Sequence, residues 1–276
     1  MLDTAADAGV AAFRALPAYL GYRAGDAALP YERFLQPEDS NRSAQISAAH
    51  RLPLPQDAIE PLSELASALS RPGYLAHEIG WCPLSSGALA VAVHTAMPGV
   101  RAAMWDWWFA WHGSASARYK LWAPGAHMAA FWKDGQGERA GAKSYIGRTS
   151  LIKEMIGSVY LEGAIRFVEP ASLGFPADFD GTVICGRAGE VGAPVEHTWL
   201  IHHVRNTPDG CEMRSRFYLG QDPVLTTTGA PLPPSPRDQP QGGPIPAELL
   251  VHCTTEMHHL AGFLPALHAA FGPGGA

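Results

Sequence analysis

Three segments in the second half of the chain, GTVICGRAG (181–189), HTWLIHHVRNT (197–207) and CEMRSRFYLG (211–220), read as β-strands, and TPDG joins the last two. A Pro-Asp-Gly turn between two such runs predicts a hairpin, because Pro presets φ at the first turn position and Gly accepts the positive φ that closes it. That hairpin commits the chain to an antiparallel sheet. The flanking sequence extends it with strand candidates at ALAVAVHT (88–95), RYKLW (118–122), HMAAFW (127–132) and VYLEGAIRFVE (159–169), and with a helix over about 100–112 after the MPG break. A Pro/Gly/Gln-rich linker at 229–244 precedes a single closing helix from Pro246 to Phe271, with Pro246 in the favoured first turn. The order implies an α+β fold in which a curved antiparallel sheet grips a long C-terminal helix and leaves a cavity between them. Residues 1–75, broken by six prolines between Pro17 and Pro61, read as an irregular, partly helical arm whose one clear helical pattern runs from Pro61 to Ser70; residues 76–276 form the main domain.

Composition narrows the function classes. A net charge of -6 with no basic block argues against nucleic acid as a partner. Cys82, Cys185, Cys211 and Cys253 are far apart, which fits neither a zinc finger nor a disulfide framework. The N-terminal stretch has no basic region leading into a long apolar run, so neither a signal peptide nor a membrane span is expected, and a reducing, cytoplasmic setting is. Six of the eight Trp fall between Trp105 and Trp132, a density that suits core packing.

The closing helix contains HCTTEMHHL (252–260). Its apolar stripe runs through Leu249, Cys253, Leu260, Phe263 and Leu264, and Glu256 falls where an apolar residue should fill the gap, with His252 beside it one turn back. A charge on a buried stripe is costly unless it is paired or binds a metal. A His and a Glu at i, i+4 project from one face and can chelate one ion; a His–Glu hydrogen bond in the core, or a helix rotated toward water, would also account for them. His258 points away from this stripe, and His259 reads as a core histidine.

Four stretches together, DWWFAWHGSASARYKLWAPGAH (106–127), SYIGRTSLIKEMIG (144–157), HHVRNTPDGCEMRSRFYLG (202–220) and HCTTEMHHL, resemble the diacetylphloroglucinol hydrolase and phloretin hydrolase family over roughly residues 75–270. The resemblance implies a Bet v 1/START-like helix-grip fold, an arm engaged in homodimer contacts, and hydrolysis of the carbon–carbon bond between an acyl group and a phloroglucinol-type polyphenol ring. It also implies a Zn2+ ion held by two His and two Glu, which map onto His127, His252, Glu256 and Glu154, with Glu162 as the competitor for the last place. Tyr119 and Tyr218 match family tyrosines that hydrogen-bond substrate oxygens. Ala123, Gly125 and Ala130 depart from the family pattern, which leaves the metal set intact but alters the acyl or aryl preference.

The chemistry asks for an acid that protonates the ring carbon bearing the acyl group, so that the ring can leave as an enolate. On HTWLIHHVR, alternation puts Trp199, Ile201, His203 and Arg205 on one face and Leu200, His202 and Val204 on the other, so one of the two adjacent histidines faces the grip. His203 is taken as the acid/base residue, with His202 as the fallback, and Arg205, Arg214 and Arg216 are assigned to the outer face. Two other readings compete. A non-catalytic grip module for aromatic ligands would have no reason to keep four convergent ligands. A metal-dependent ester or lactone hydrolase would not need the histidine acid.

Overall fold

The computed structural model describes residues 4–39, 46, 51–193, 195–220, 225–226, 230–231 and 246–274. The helices are α1 (Thr4–Arg14), α2 (Leu62–Leu69), α3 (Ala102–Trp111), α4 (Ser116–Trp122), α5 (Pro246–Ala261) and α6 (Leu264–Phe271). The strands are β1 (Gly80–Pro83), β2 (Leu89–Pro98), β3 (His127–Trp132), β4 (Thr149–Ile156), β5 (Val159–Val168), β6 (Gly181–Glu190), β7 (Val195–Glu196), β8 (Thr198–Thr207), β9 (Gly210–Leu219) and β10 (Leu225–Thr226). Eight strands form one antiparallel sheet in the order β1-β2-β9-β8-β6-β5-β4-β3, and β10 pairs with β7 apart from it. The expected hairpin is present, with Thr207 opposite Gly210 across the β8–β9 turn.

One face of the sheet packs on α3, α4 and α5, and α6 packs on α3 and α5. Helix α5 lies on β2, with β1, β4 and α4 around it, and it buries Leu249, Leu250, Cys253, Met257 and Leu260 against Val91, Val93 and Phe217. Each such side chain contributes roughly 1.5–3 kcal/mol on leaving water. The other face is covered too: Ile59, Leu65 and Leu69 of the arm pack on Ala90, Val183, Ile201 and Tyr218. Here the sheet has no wet face.

Three readings of local structure are corrected. RYKLW is not a strand but helix α4, started by amides of Arg118 and Tyr119 donating to the Ala115 carbonyl; Tyr119, Lys120, Leu121 and Trp122 are all buried, so no alternation marks it. The closing helix is two helices, because Pro265 lacks the N–H that would continue α5 and the Gly262 and Phe263 amides turn back to His259 and Leu260. Helix α1 was not anticipated. The linker at 229–244 lies, apart from Ala230 and Pro231, outside the described residues. Among the described residues no helix is long and apolar enough to cross a membrane.

Candidate metal centre

His127 opens β3 after a tight turn in which its own amide and that of Ala126 donate to the Ala123 carbonyl. Its Nδ1 lies 3.0 Å from the Tyr119 carbonyl oxygen, which places the ring proton there and leaves Nε2 with its lone pair free. The ring stacks on Tyr119 with centroids 3.8 Å apart and planes 4° from parallel. Glu154 is the direct cross-strand partner of His127 on β4, and the Tyr119 hydroxyl donates to its Oε2. His252 and Glu256 come from successive turns of α5.

The donor atoms converge. His127 Nε2 is 3.5 Å from Glu154 Oε2 and 3.4 Å from Glu256 Oε2, and His252 Nε2 is 3.6 Å from Glu256 Oε2. His127, Glu154 and His252 each offer an atom within 4.8 Å of the other two. A tetrahedral centre with bonds of about 2.0–2.2 Å places its ligands roughly 3.3–3.6 Å apart, the separation at which His127 stands from Glu154 and Glu256, and His252 from Glu256.

The electrostatics point the same way. Burial raises Glu154 to about 7, partly opposed by the Tyr119 hydrogen bond. Glu256 is held well above the usual carboxylate range by burial, then by the nearby charges of Glu154 and Glu38. Burial lowers His252 to about 4 and, with His252 beside it, takes His127 well below its usual value. Both imidazoles are therefore neutral, as ligands must be. Among the described residues neither carboxylate pairs with a Lys or Arg, and a dication between the carboxylates would cancel their charge. Residue types, spacing and charge all fit a divalent metal of the zinc class.

The cluster stands between two hollows, and His252 and Glu256 line both. The inner hollow, about 80 Å³, is walled by Phe109, Trp122, Ile152, Phe167 and Phe217, with His202 at its side. The outer one, about 510 Å³, opens to solvent beside Glu38, Arg51, Glu248 and Thr255.

His203 and Tyr218 are not at this site. In the β8–β9 register, Leu200–Phe217 and His202–Ser215 pair on the grip face, while Trp199–Tyr218 and His203–Arg214 pair on the other. His203 packs on Phe179 at 4.4 Å between ring centroids, and the Tyr218 hydroxyl donates to the Glu60 carbonyl at 2.7 Å. His202 faces the inner hollow instead, with Nδ1 2.7 Å from Ser215 Oγ. Glu162 is also excluded from the cluster: it pairs across to Lys153 rather than Glu154 and accepts from the Tyr160 hydroxyl. The expected outer-face role of the arginines holds, with Arg214 and Arg216 donating to Glu78 and Arg205 to Glu212. One lining residue escaped the sequence reading. His112 is buried, with Nδ1 2.8 Å from the Trp108 carbonyl, and its ring faces Tyr119; within an aromatic helix nothing in the sequence separates it from core packing.

The cluster of two His and two Glu thus borders an apolar hollow, an arrangement whose residue types suit a divalent metal. Sequence comparison gives the family directly. The profile of the DAPG hydrolase PhiG domain matches residues 59–269, and the chain belongs to that family. It is 29% identical over 262 residues to the 2,4-diacetylphloroglucinol hydrolase of Pseudomonas protegens, covering 88% of this chain and 85% of that one. It is 28% identical over 265 residues to the phloretin hydrolase of Eubacterium ramulus, covering 87% and 88%. Among solved structures, Ara h 8.0201 overlays at a TM-score of 0.38 with 9% identity, over 65% of this chain and 99% of that one. Ginseng major latex-like protein 151 from Panax ginseng gives 0.36 with 10% identity, over 63% and 98%.

Proposed function

We propose that this protein is a zinc-dependent hydrolase that cleaves the carbon–carbon bond between an acyl group and a phloroglucinol-type ring. The observation that carries the reading is the gathering of His127, Glu154, His252 and Glu256, with His127 Nε2 at 3.5 Å from Glu154 and 3.4 Å from Glu256 and His252 Nε2 at 3.6 Å from Glu256, the carboxylates having no Lys or Arg partner among the described residues, in a member of this hydrolase family. When bound, the metal supplies Lewis acidity toward a substrate oxygen and lowers the pKa of water.

The chain's own groups do the rest. Tyr119 holds Glu154 by its hydroxyl and His127 by its carbonyl, which fixes two of the four ligands from one side chain and its backbone. The aromatic walls of the inner hollow receive the ring face on. His202 replaces His203 as the acid/base residue: its ring borders that hollow, and its contact with Ser215 orients the imidazole toward it. Protonation of the ring carbon bearing the acyl group, with loss of the adjacent phenolic proton, breaks aromaticity and leaves a β-diketone; that phenolic proton is restored when the ring enolate is protonated. Water adds to the acyl carbonyl, the carbon–carbon bond breaks, and its electron pair stays on the ring as an enolate that returns to the phenol. The products are the deacylated phenol and a carboxylic acid, and no redox partner is required.

The test pairs metal content with turnover. Purified wild-type protein is expected to hold about one zinc per chain and to release acetate from 2,4-diacetylphloroglucinol or a phenylpropionate from phloretin. His252→Ala and Glu256→Ala are expected to lose both properties. Stoichiometric zinc retained in both variants would refute the site. Ester cleavage that survives His202→Ala intact would favour a simple ester hydrolase. The homodimer implied by the resemblance is a separate proposal, checked by sedimentation.

A further inference from the structure

The arm that precedes the family-matched region reaches the back of three of the elements that carry the cluster. Glu154 faces the hollow, so its neighbour Lys153 faces outward from β4. Lys153 is 4% exposed, and its ammonium donates to the carbonyls of Arg14 at 3.1 Å and Leu16 at 2.9 Å, over the Phe13 ring. Lys120, next to Tyr119, is 1% exposed; its ammonium donates to the Gly21 carbonyl at 3.0 Å and sits 3.0 Å from the Tyr19 ring centroid. The turn before His127 is held twice: the Gly21 amide donates to the Pro124 carbonyl at 2.8 Å, and the Gly125 amide donates to Glu38 Oε1 at 2.8 Å. Two buried ammonium groups have arm carbonyls as their hydrogen-bond acceptors, so lifting the arm away would cost them those bonds and leave Lys153 only Glu162, at 4.0 Å.

The location gives these contacts a purpose. β3 is the edge strand of the sheet, and its register with β4 shifts just after His127. A ligand turn at an irregular edge is held by a strand on one side only, where the Met155 amide donates to the Ala126 carbonyl, and it must stay in place while two buried carboxylates repel each other. We propose that residues 13–38 act as a positioning clamp, in which Lys153, Lys120 and Glu38 hold the backs of β4, α4 and the 123–126 turn and so set the geometry of the metal ligands. The proposal rests on the metal-site reading above but concerns residues outside the ligand set.

Glu38 allows a clean test, because it is half-buried at the surface and its two relevant properties can be separated. Glu38→Gln removes its charge but keeps an acceptor for the Gly125 amide, whereas Glu38→Ala removes both. Zinc affinity is measured by competition with a chromophoric chelator on full-length protein, with thermal melts of the metal-free forms alongside and Lys153→Met as a second variant. A clamp predicts affinity about 10-fold or more weaker for Glu38→Ala, within about threefold of wild type for Glu38→Gln, and weaker for Lys153→Met at temperatures where it stays folded. Equal weakening by Gln and Ala would make Glu38 a matter of charge and overturn the clamp. Lower melting temperatures with wild-type affinity in Glu38→Ala and Lys153→Met would make the contacts merely structural and overturn it too. A wild type that binds no zinc would overturn this inference together with the proposed function; normal binding in all variants would overturn the clamp alone.

Discussion

Zinc binding should release protons, and the amount follows from the cluster's geometry. In the metal-free protein at pH 7, Glu154, raised by burial to about 7, is about half-protonated, and burial, with the charge of Glu154, holds Glu256 well above the usual carboxylate range. His127 and His252 are neutral because burial lowers both, so they contribute no proton. The ion requires both carboxylates ionised, so binding at pH 7 expels about half a proton from Glu154, together with whatever proton the raised Glu256 still holds. The sign follows: raised carboxylates bind protons in competition with metal, so affinity falls as pH falls. From pH 7 to 6 competition at Glu154 alone weakens affinity about fivefold, and the raised Glu256 deepens the loss. The same shift means that ionising Glu154 in the metal-free fold costs about 3 kcal/mol, so the stripped protein loses stability as pH rises from about 5 to 8 while the loaded protein does not. Calorimetric titration with zinc in two buffers of different ionisation enthalpy counts the protons. Release below about half a proton, with affinity flat between pH 6 and 7, would refute the claim that these carboxylates are buried without compensation.

Other perturbations separate the site from the scaffold. Tyr119→Phe removes the hydroxyl that holds Glu154 and is expected to weaken zinc binding about tenfold by chelator competition, leaving the stack on His127 in place. His202→Ala should lower kcat by about 10²-fold or more, whereas His203→Leu, on the opposite face against Phe179, should leave kcat/KM within a few-fold; the reverse ranking would overturn the assignment of faces. Glu78 accepts from both Arg214 and Arg216, whose contacts outweigh burial and hold its carboxyl at about 2. Glu78→Ala is expected to destabilise the fold by about 3 kcal/mol in urea melts. Because that carboxyl is depressed, its contribution in the wild type disappears as pH falls below about 4.

Much of the architecture was local and therefore legible. The TPDG hairpin, the strands at 127–132 and 159–169, and the helix after MPG follow from turn chemistry and periodicity, which any short window contains. His252 and Glu256 stood out because an i, i+4 pair interrupted an apolar stripe. His127 and Glu154 did not stand out in that way: they are 27 positions apart, and only the family resemblance singled them out before β3–β4 pairing set them side by side.

What the sequence by itself determined was that adjacent residues on a strand face opposite ways, so that one of His202 and His203 had to enter the grip. Only the tertiary structure decided which. Alternation names a face when water touches the other one, and here α2 and the arm dry the outer face, so that β9 is buried at all ten positions and carries no polar side to read. The same covering hid helix α4, whose Lys120 is buried because an arm a hundred residues upstream supplies the carbonyl it needs.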